Sequence, residues 1–177
     1  RSPSCVTFWL KPSDFVFSAL GQLSTRDMAF HAGYVLESAV VPGELNQIWD
    51  LIKSMGFKFS KSISQSRREE GDDTGLGQYS IAYGDNTVQT VRITELSERL
   101  PNKRSIGLEY VSSDPPVGYS ARMDHIVVSA VTHGSSPQVY IEYSSDFSSD
   151  ATLGAVEDSK FKKREFFDDL RAFVSSA

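Results

Sequence analysis

The segment VRITEL, residues 91–96, sets a carboxylate in step with apolar neighbours. In an extended strand Val91, Ile93 and Glu95 share one face, while Arg92 and Thr94 share the other. If Val91 and Ile93 mark the interior, Glu95 also points inside. A charge there is costly unless it is paired, hydrated or neutralised, and a carboxyl so placed is a candidate general acid or base. The competing reading ends the strand at residue 94 and leaves Glu95 solvated at a rim. His125, in RMDHIVV, shares a strand face with Met123 and Val127. Turned inward beside Glu95 or Tyr110, it would be a proton shuttle. The alternative is a hydrogen-bonded strand histidine, since no nucleophile or second acid is spaced to involve it. Tyr79, Tyr83, Tyr110, Tyr140 and Tyr143 read as lining or core, and any hydroxyl that reaches a hollow would orient the polar end of a ligand. The three histidines (His31, His125, His133) and the single Cys5 lack zinc-site spacing. Asp72 and Asp73 lack the ligand spacing of an EF-hand loop. No metal and no other cofactor is expected.

The elements that must position these residues follow from the punctuation of the chain. Residues 34–41 are β-prone and end at Pro42-Gly43. Glu44 then opens a helix in which Leu45, Ile48, Trp49 and Ile52 recur with helical period. Trp49 falls in phase with three aliphatic residues and is expected to pack in the core. After Gly56, FKFSKSI suggests a second short helix, and SISQSRREEG a strand with a charged outer half. GQYSIAYGDNTVQTVRITEL has alternating residues on both sides of a Gly84-Asp85-Asn86 turn, which is a hairpin signature. RSIGLEYV, YSARMDHIVVSAV and QVYIEYS read as further strands, joined by DPPVG and THGSSPQ. Residues 156–174 form an amphipathic helix whose apolar stripe is Phe166, Phe167, Leu170, Phe173 and Val174. SRREEGDDTGLG reads as a solvated hairpin loop.

Composition narrows the function classes. The chain has 177 residues, enough for one domain with its own core, and 40% hydrophobic and 23% charged residues, as an ordinary globular protein has. No apolar run approaches the ~18 residues of a membrane-spanning helix. The chain therefore reads as soluble and intracellular, in cytoplasm or an organelle lumen. A formal net charge of -5 argues against nucleic acid as a partner. Residues 1–33 read as an N-terminal extension preceding a domain over residues 34–177. The extension carries the aromatic clusters Phe8-Trp9-Leu10 and Phe15-Val16-Phe17. It is expected to be a tail docked on the domain or on a protein partner, with a transit-peptide remnant or a start at Met28 as alternatives.

The order of these elements, with VVPGELNQIWDLI, the strand end EEG, TGLGQY, VRITEL, IGLEY, DPPVGYSARMDHIVV and VYIEYSSDF, resembles the START/Bet v 1-like (SRPBCC) superfamily over residues 34–174. The resemblance is to its polyketide cyclase/dehydrase-like branch in particular. It implies an α+β helix-grip fold: a curved antiparallel sheet of six to seven strands wrapped around a long C-terminal helix, with one or two short helices after the first strand. It also implies a cavity for a small hydrophobic or amphipathic molecule such as a lipid, an isoprenoid or a specialised metabolite. Phe57, Phe59, Tyr79, Tyr83, Val91, Ile93, Tyr110, Met123, His125, Tyr143, Phe166 and Leu170 are the expected lining. Enzymes of that branch pair the strand Glu with an Arg on the neighbouring strand, and this sequence has Gln78 at the matching position. Arg104 and Arg122 alternate with apolar neighbours in a way that aims them outward. The acid/base and cation arrangement is therefore expected to be incomplete. A carrier or sensor of a small hydrophobic molecule is the leading expectation, followed by an accessory subunit of a protein assembly and by a cyclase or dehydratase-like enzyme using Glu95.

Overall fold

The first corner of the chain shows how its ends are tied. In the computed structural model, which describes residues 33–71 and 75–176, strand β1 (Tyr34–Pro42) runs directly into helix α1 (Leu45–Lys53). Gly43 makes the turn at φ +129°, and its N–H donates to the Pro137 carbonyl at 3.0 Å. Only glycine takes this backbone freely. A Cβ here would also press on Ile48 at 3.3 Å and Val174 at 3.4 Å. The corner therefore brings β1, α1 and the end of the last helix together. Ile48, Trp49 and Ile52, in helical phase, are all buried. Trp49 is a core residue, and its indole N–H is satisfied by Glu98, which Lys53 also meets at 2.8 Å.

Six more strands follow: β2 (Ile63–Gly71), β3 (Gly77–Tyr83), β4 (Val88–Leu100), β5 (Lys103–Asp114), β6 (Arg122–Ala130) and β7 (Gln138–Phe147). They form one antiparallel sheet in the order β1-β7-β6-β5-β4-β3-β2. Every neighbour after the first pair is a sequence neighbour, as short connections require. The β3–β4 turn closes as the sequence indicates. Asn86 takes φ 68°, and the Asp85 carboxylate accepts the Thr87 N–H at 2.9 Å.

The long helix α2 (Leu153–Ser176) packs on the inner face of the sheet, chiefly against β1 and β7. Phe166, Phe167 and Leu170 are its buried stripe, and Phe173 is exposed. The apolar core continues through Val41, Ile81, Val91, Ile93, Ile106, Leu108, Ile126, Val128, Val139 and Ile141. The architecture is the expected α+β arrangement, with seven strands and one short helix.

Two local expectations change. No second helix forms in FKFSKSI: residues 57–62 run as turns, with Met55 and Phe57 at positive φ. Phe57 and Phe59 both bury there, and Phe59 stacks edge-on against Phe166 at 5.0 Å. Lys61 binds Asp169 of α2 through its backbone N–H at 2.8 Å and its ammonium at 3.2 Å. Tertiary anchoring of alternate residues thus overrides a local helical tendency. The second change is a bulge in β4, described with the site. The expected N-terminal extension lies outside the described residues apart from Gly33, as do Asp72 and Asp73 of the charged loop.

Candidate functional site

Between the inner face of the sheet and α2 lies a cavity of about 440 Å³, within the usual range of small-molecule sites. Its apolar wall comes from Phe57, Ile63, Ile81, Val91, Leu108 and Phe166, and its rim from residues 115–119 and the first turns of α2. One end is polar. Strand β6 presents Arg122, Asp124, Ile126 and Val128 inward, and Asp124 pairs across the sheet with Ser145 of β7. The Asp124 side chain is only 4% exposed, and both a guanidinium and an ammonium meet it.

The Arg122 Nε lies 2.9 Å from Asp124 Oδ2. The Nε–H does not point along that line, so the contact is charge pairing rather than an aligned hydrogen bond. One terminal nitrogen donates to the Tyr119 hydroxyl at 2.5 Å and the other to Gln89 Oε1 at 3.3 Å. The guanidinium also rests near the rings of Tyr119 and Tyr110, at 5.3 and 6.0 Å from their centroids. Lys163, from α2, donates to Ser145 Oγ and to Ser159 Oγ one turn back, sits 3.9 Å from Asp124 Oδ1, and lies 4.2 Å from the centroid of the Tyr143 ring. Ser145 in turn donates to Asp124. The chain Lys163–Ser145–Asp124–Arg122 therefore links α2, β7 and β6 through buried polar contacts.

Electrostatics follows from this burial. Desolvation is the strongest single influence on Arg122 and works against its charge, but Asp124 together with Tyr119, Tyr143 and Tyr83 outweighs it and the pKa is raised. Lys163 goes the other way: desolvation pulls it down to about 8, although Asp124 favours the charge. Burial raises Tyr83 and Tyr143, and pushes Tyr119 up to about 12 against the pull of Arg122. The phenols are therefore neutral hydrogen-bonding groups at physiological pH. Ser145 is fully buried, absent from the cavity wall, and committed as both donor and acceptor. It serves as a strut.

Of the residues expected to line the site, Phe57, Tyr83, Val91, Tyr143 and Phe166 do so. Phe59, Ile93 and Leu170 are buried in the core, with Tyr79 packed against them. Tyr110 lies under the cluster, edge-on to Tyr119 at 5.0 Å. Met123 and His125 are on the outer face: Met123 is 44% exposed, while Asp124 and Ile126 beside them are buried. Glu95 is outside too. Strand β4 shifts register between Ile93, which pairs with Leu108, and Glu95, which pairs with Gly107. This bulge inserts one residue, so Leu96 rather than Glu95 returns to the core side. The strand does not end at residue 94, yet the carboxylate is solvated, with its side chain 52% exposed.

Glu95 and His125 do meet, but over Gly107 on the outer face. His125 Nε2 is 3.6 Å from Glu95 Oε2, and the Ser105 hydroxyl donates to Oε1 at 2.7 Å. Gln78 pairs with exposed Arg92 and shares its outer face, so it is not where an inward cation would stand. Arg122, expected to aim outward, supplies that cation instead. Both faces of YSARMDHIVV carry apolar residues, and the signal is evenly split: Ile126 and Val128 on the Asp124 face against Met123 and Val127 on the other. Lys163 and Ser159 of α2 gave no warning, because both are polar residues on a mainly polar helix.

No protein-family model matches the sequence, and a search of curated proteins also finds no match. Solved structures match in fold. A START superfamily protein from Mycobacterium smegmatis superposes with a TM-score of 0.64 at 12% identity, covering 81% of this chain and 97% of that one. Ara h 8.0201 gives a TM-score of 0.58 at 13% identity, covering 81% and 98%. The di-domain ARO/CYC StfQ from the steffimycin biosynthetic pathway gives 0.55 at 14% identity, covering 78% of this chain and 43% of that chain. At these identities the likeness is one of fold alone: these structures share with the chain an antiparallel sheet packed against a long C-terminal helix.

Proposed function

We propose that this protein binds a small amphipathic molecule between sheet and α2, as a carrier or sensor. The observation that carries the reading is the open cavity of about 440 Å³, whose wall is part apolar and part polar, with a buried polar cluster at one end. Such a space seats a hydrophobic body and orients one polar end. The fold is shared with a START superfamily protein and an ARO/CYC protein, which agrees with a ligand-holding role while leaving the ligand to the site itself. An accessory subunit would have no need to keep this interior open. An enzyme using Glu95 would need that carboxylate inside, and it is not.

The test is titration with the neutral fluorescent probe phenylnaphthylamine, beside native mass spectrometry of protein purified from its source. The expected result is saturable probe uptake, displaced by a co-purified small molecule. Ala155→Trp, at the cavity wall on α2, should abolish uptake while leaving the melting temperature within a few degrees. Uptake unaffected by the indole would place the probe elsewhere and sink the reading.

A further inference from the structure

The charge inventory of the cavity is unequal. Among the described residues, its wall contains three cations, Arg122, Lys162 and Lys163, and two carboxylates, Asp124 and Asp158. Lys162 and Asp158 pair with each other at 3.0 Å near the mouth, where both are partly exposed. That leaves Arg122 and Lys163 deep in the wall, both leaning on Asp124 alone, with side chains 13% and 4% exposed. Glu37 of β1 is the next carboxylate towards Lys163, and it is taken by Arg164 at 3.2 Å. Tyr143 of β7 and Tyr83 of β3 are held neutral by burial. Two buried cations therefore share one buried anion.

The guanidinium also has donors to spare. Each terminal nitrogen of Arg122 carries two N–H groups and uses one, on Tyr119 and on Gln89, while Nε–H is buried without an aligned acceptor. A buried donor left without an acceptor costs stability, and a buried unpaired charge costs more. A ligand oxygen that accepts from Arg122 would relieve both deficits at once.

We propose that the molecule held in this cavity carries a monoanionic carboxylate head group, seated against the free N–H groups of Arg122 and within the field of Lys163. The inference rests on the cavity reading above and adds the head group to it. A carboxylate completes a two-cation, two-anion set. A hydroxyl accepts one hydrogen bond and leaves the excess charge in place, and an ammonium adds a third cation. The apolar wall beyond the cluster, Val91, Leu108 and Phe166, takes the hydrocarbon body.

The experiment compares decanoate, decanol and decylamine, three probes of one chain length, by calorimetric titration below the micellar concentrations of the two charged probes and the solubility limit of decanol. Decanoate should bind at least about tenfold more tightly than decanol, the scale of one hydrogen bond to a charged group, and decylamine most weakly. Raising the pH through about 8, where Lys163 loses its proton, should narrow the decanoate preference. Lys163→Met should reduce the preference and remove its pH dependence, with a circular dichroism spectrum like that of wild type as the control for folding, and Glu95→Gln, on the outer face, should leave all three affinities unchanged. Decanol or decylamine binding as tightly as decanoate overturns the head-group inference and leaves the cavity reading standing. Failure of all three to bind wild-type protein overturns the cavity reading itself.

Discussion

Two carboxylates on strands that flank β5 in this sheet sit in opposite worlds. Asp124 of β6 faces inward, 4% exposed, with Arg122, Lys163 and Ser145 around it. Glu95 of β4 faces outward, 52% exposed, with Ser105 and His125. The residue types are similar: an acid, a serine and a base. The energetic weight is not. Exposed pairs are screened by water and contribute little, whereas a buried acid between two cations cannot be removed without leaving charge unpaired. Which face a strand residue occupies decides whether an acid joins a buried cluster or stays a solvated surface group.

The largest expected effect tests the inner cluster directly. Asp124→Asn keeps the shape and removes the anion that Arg122 and Lys163 share. Urea unfolding should show a loss of about 3–5 kcal/mol, the cost of breaking a buried pair. A loss below about 1 kcal/mol, the scale of an exposed pair, would erase the distinction between the two faces.

Next comes pH. The folded pKa of Lys163, about 8, lies below its ordinary value of 10.5. Between those values the unfolded chain holds a proton that the folded protein has released, so this group makes stability rise with pH. Its penalty is fully present below about 8 and is relieved towards 10.5. The raised tyrosine pKa values act in the opposite sense above 10. Chemical denaturation of wild type and Lys163→Met between these limits should therefore diverge, by about 3 kcal/mol, with only wild type carrying the lysine's rise. Parallel curves would mean that Lys163 does not feel its burial.

A smaller effect belongs to the outer face. A Cβ on Gly107 would lie 3.2 Å from both Glu95 Cβ and Thr94 Oγ1, so Gly107→Ala should push the Glu95 side chain aside. The expected cost is about 1 kcal/mol by thermal or chemical unfolding, at the low end for overpacking. The smallest effect is that of Glu95→Gln, expected to change stability by less than about 0.5 kcal/mol and decanoate binding not at all. Loss of ligand uptake in this variant would put function on the outer face after all.

Much of the fold was legible in local sequence. The Pro42-Gly43 corner, the Ile48/Trp49/Ile52 stripe, the Asp85-Asn86 turn and the Phe166/Phe167/Leu170 stripe all follow from turn chemistry and periodicity. The site was legible only in part. Tyr83, Val91 and Tyr143 agree with strand alternation and Phe166 with the helical stripe, while Phe57 lines the cavity from a turn where the sequence suggests a helix. Strict alternation would turn Glu95 inward and an early strand end would leave it solvated; it is solvated, but because a bulge at residues 93–95 resets the period of two, and a bulge depends on how β5 pairs, not on VRITEL itself. His125 and Met123 were misplaced because β6 carries apolar side chains on both faces. Arg122 was missed for the same reason, and Lys163 because a lysine on a polar helix reads as solvated.

The sequence alone determined the order and type of elements and the family of folds they build, since caps, turns and hydrophobic periods act over a few residues. Tertiary structure decided which face of β4 and β6 turned inward, and which charges were shut away from water. Those outcomes depend on register between strands and on the seating of α2, and both are set by residues far apart in the chain.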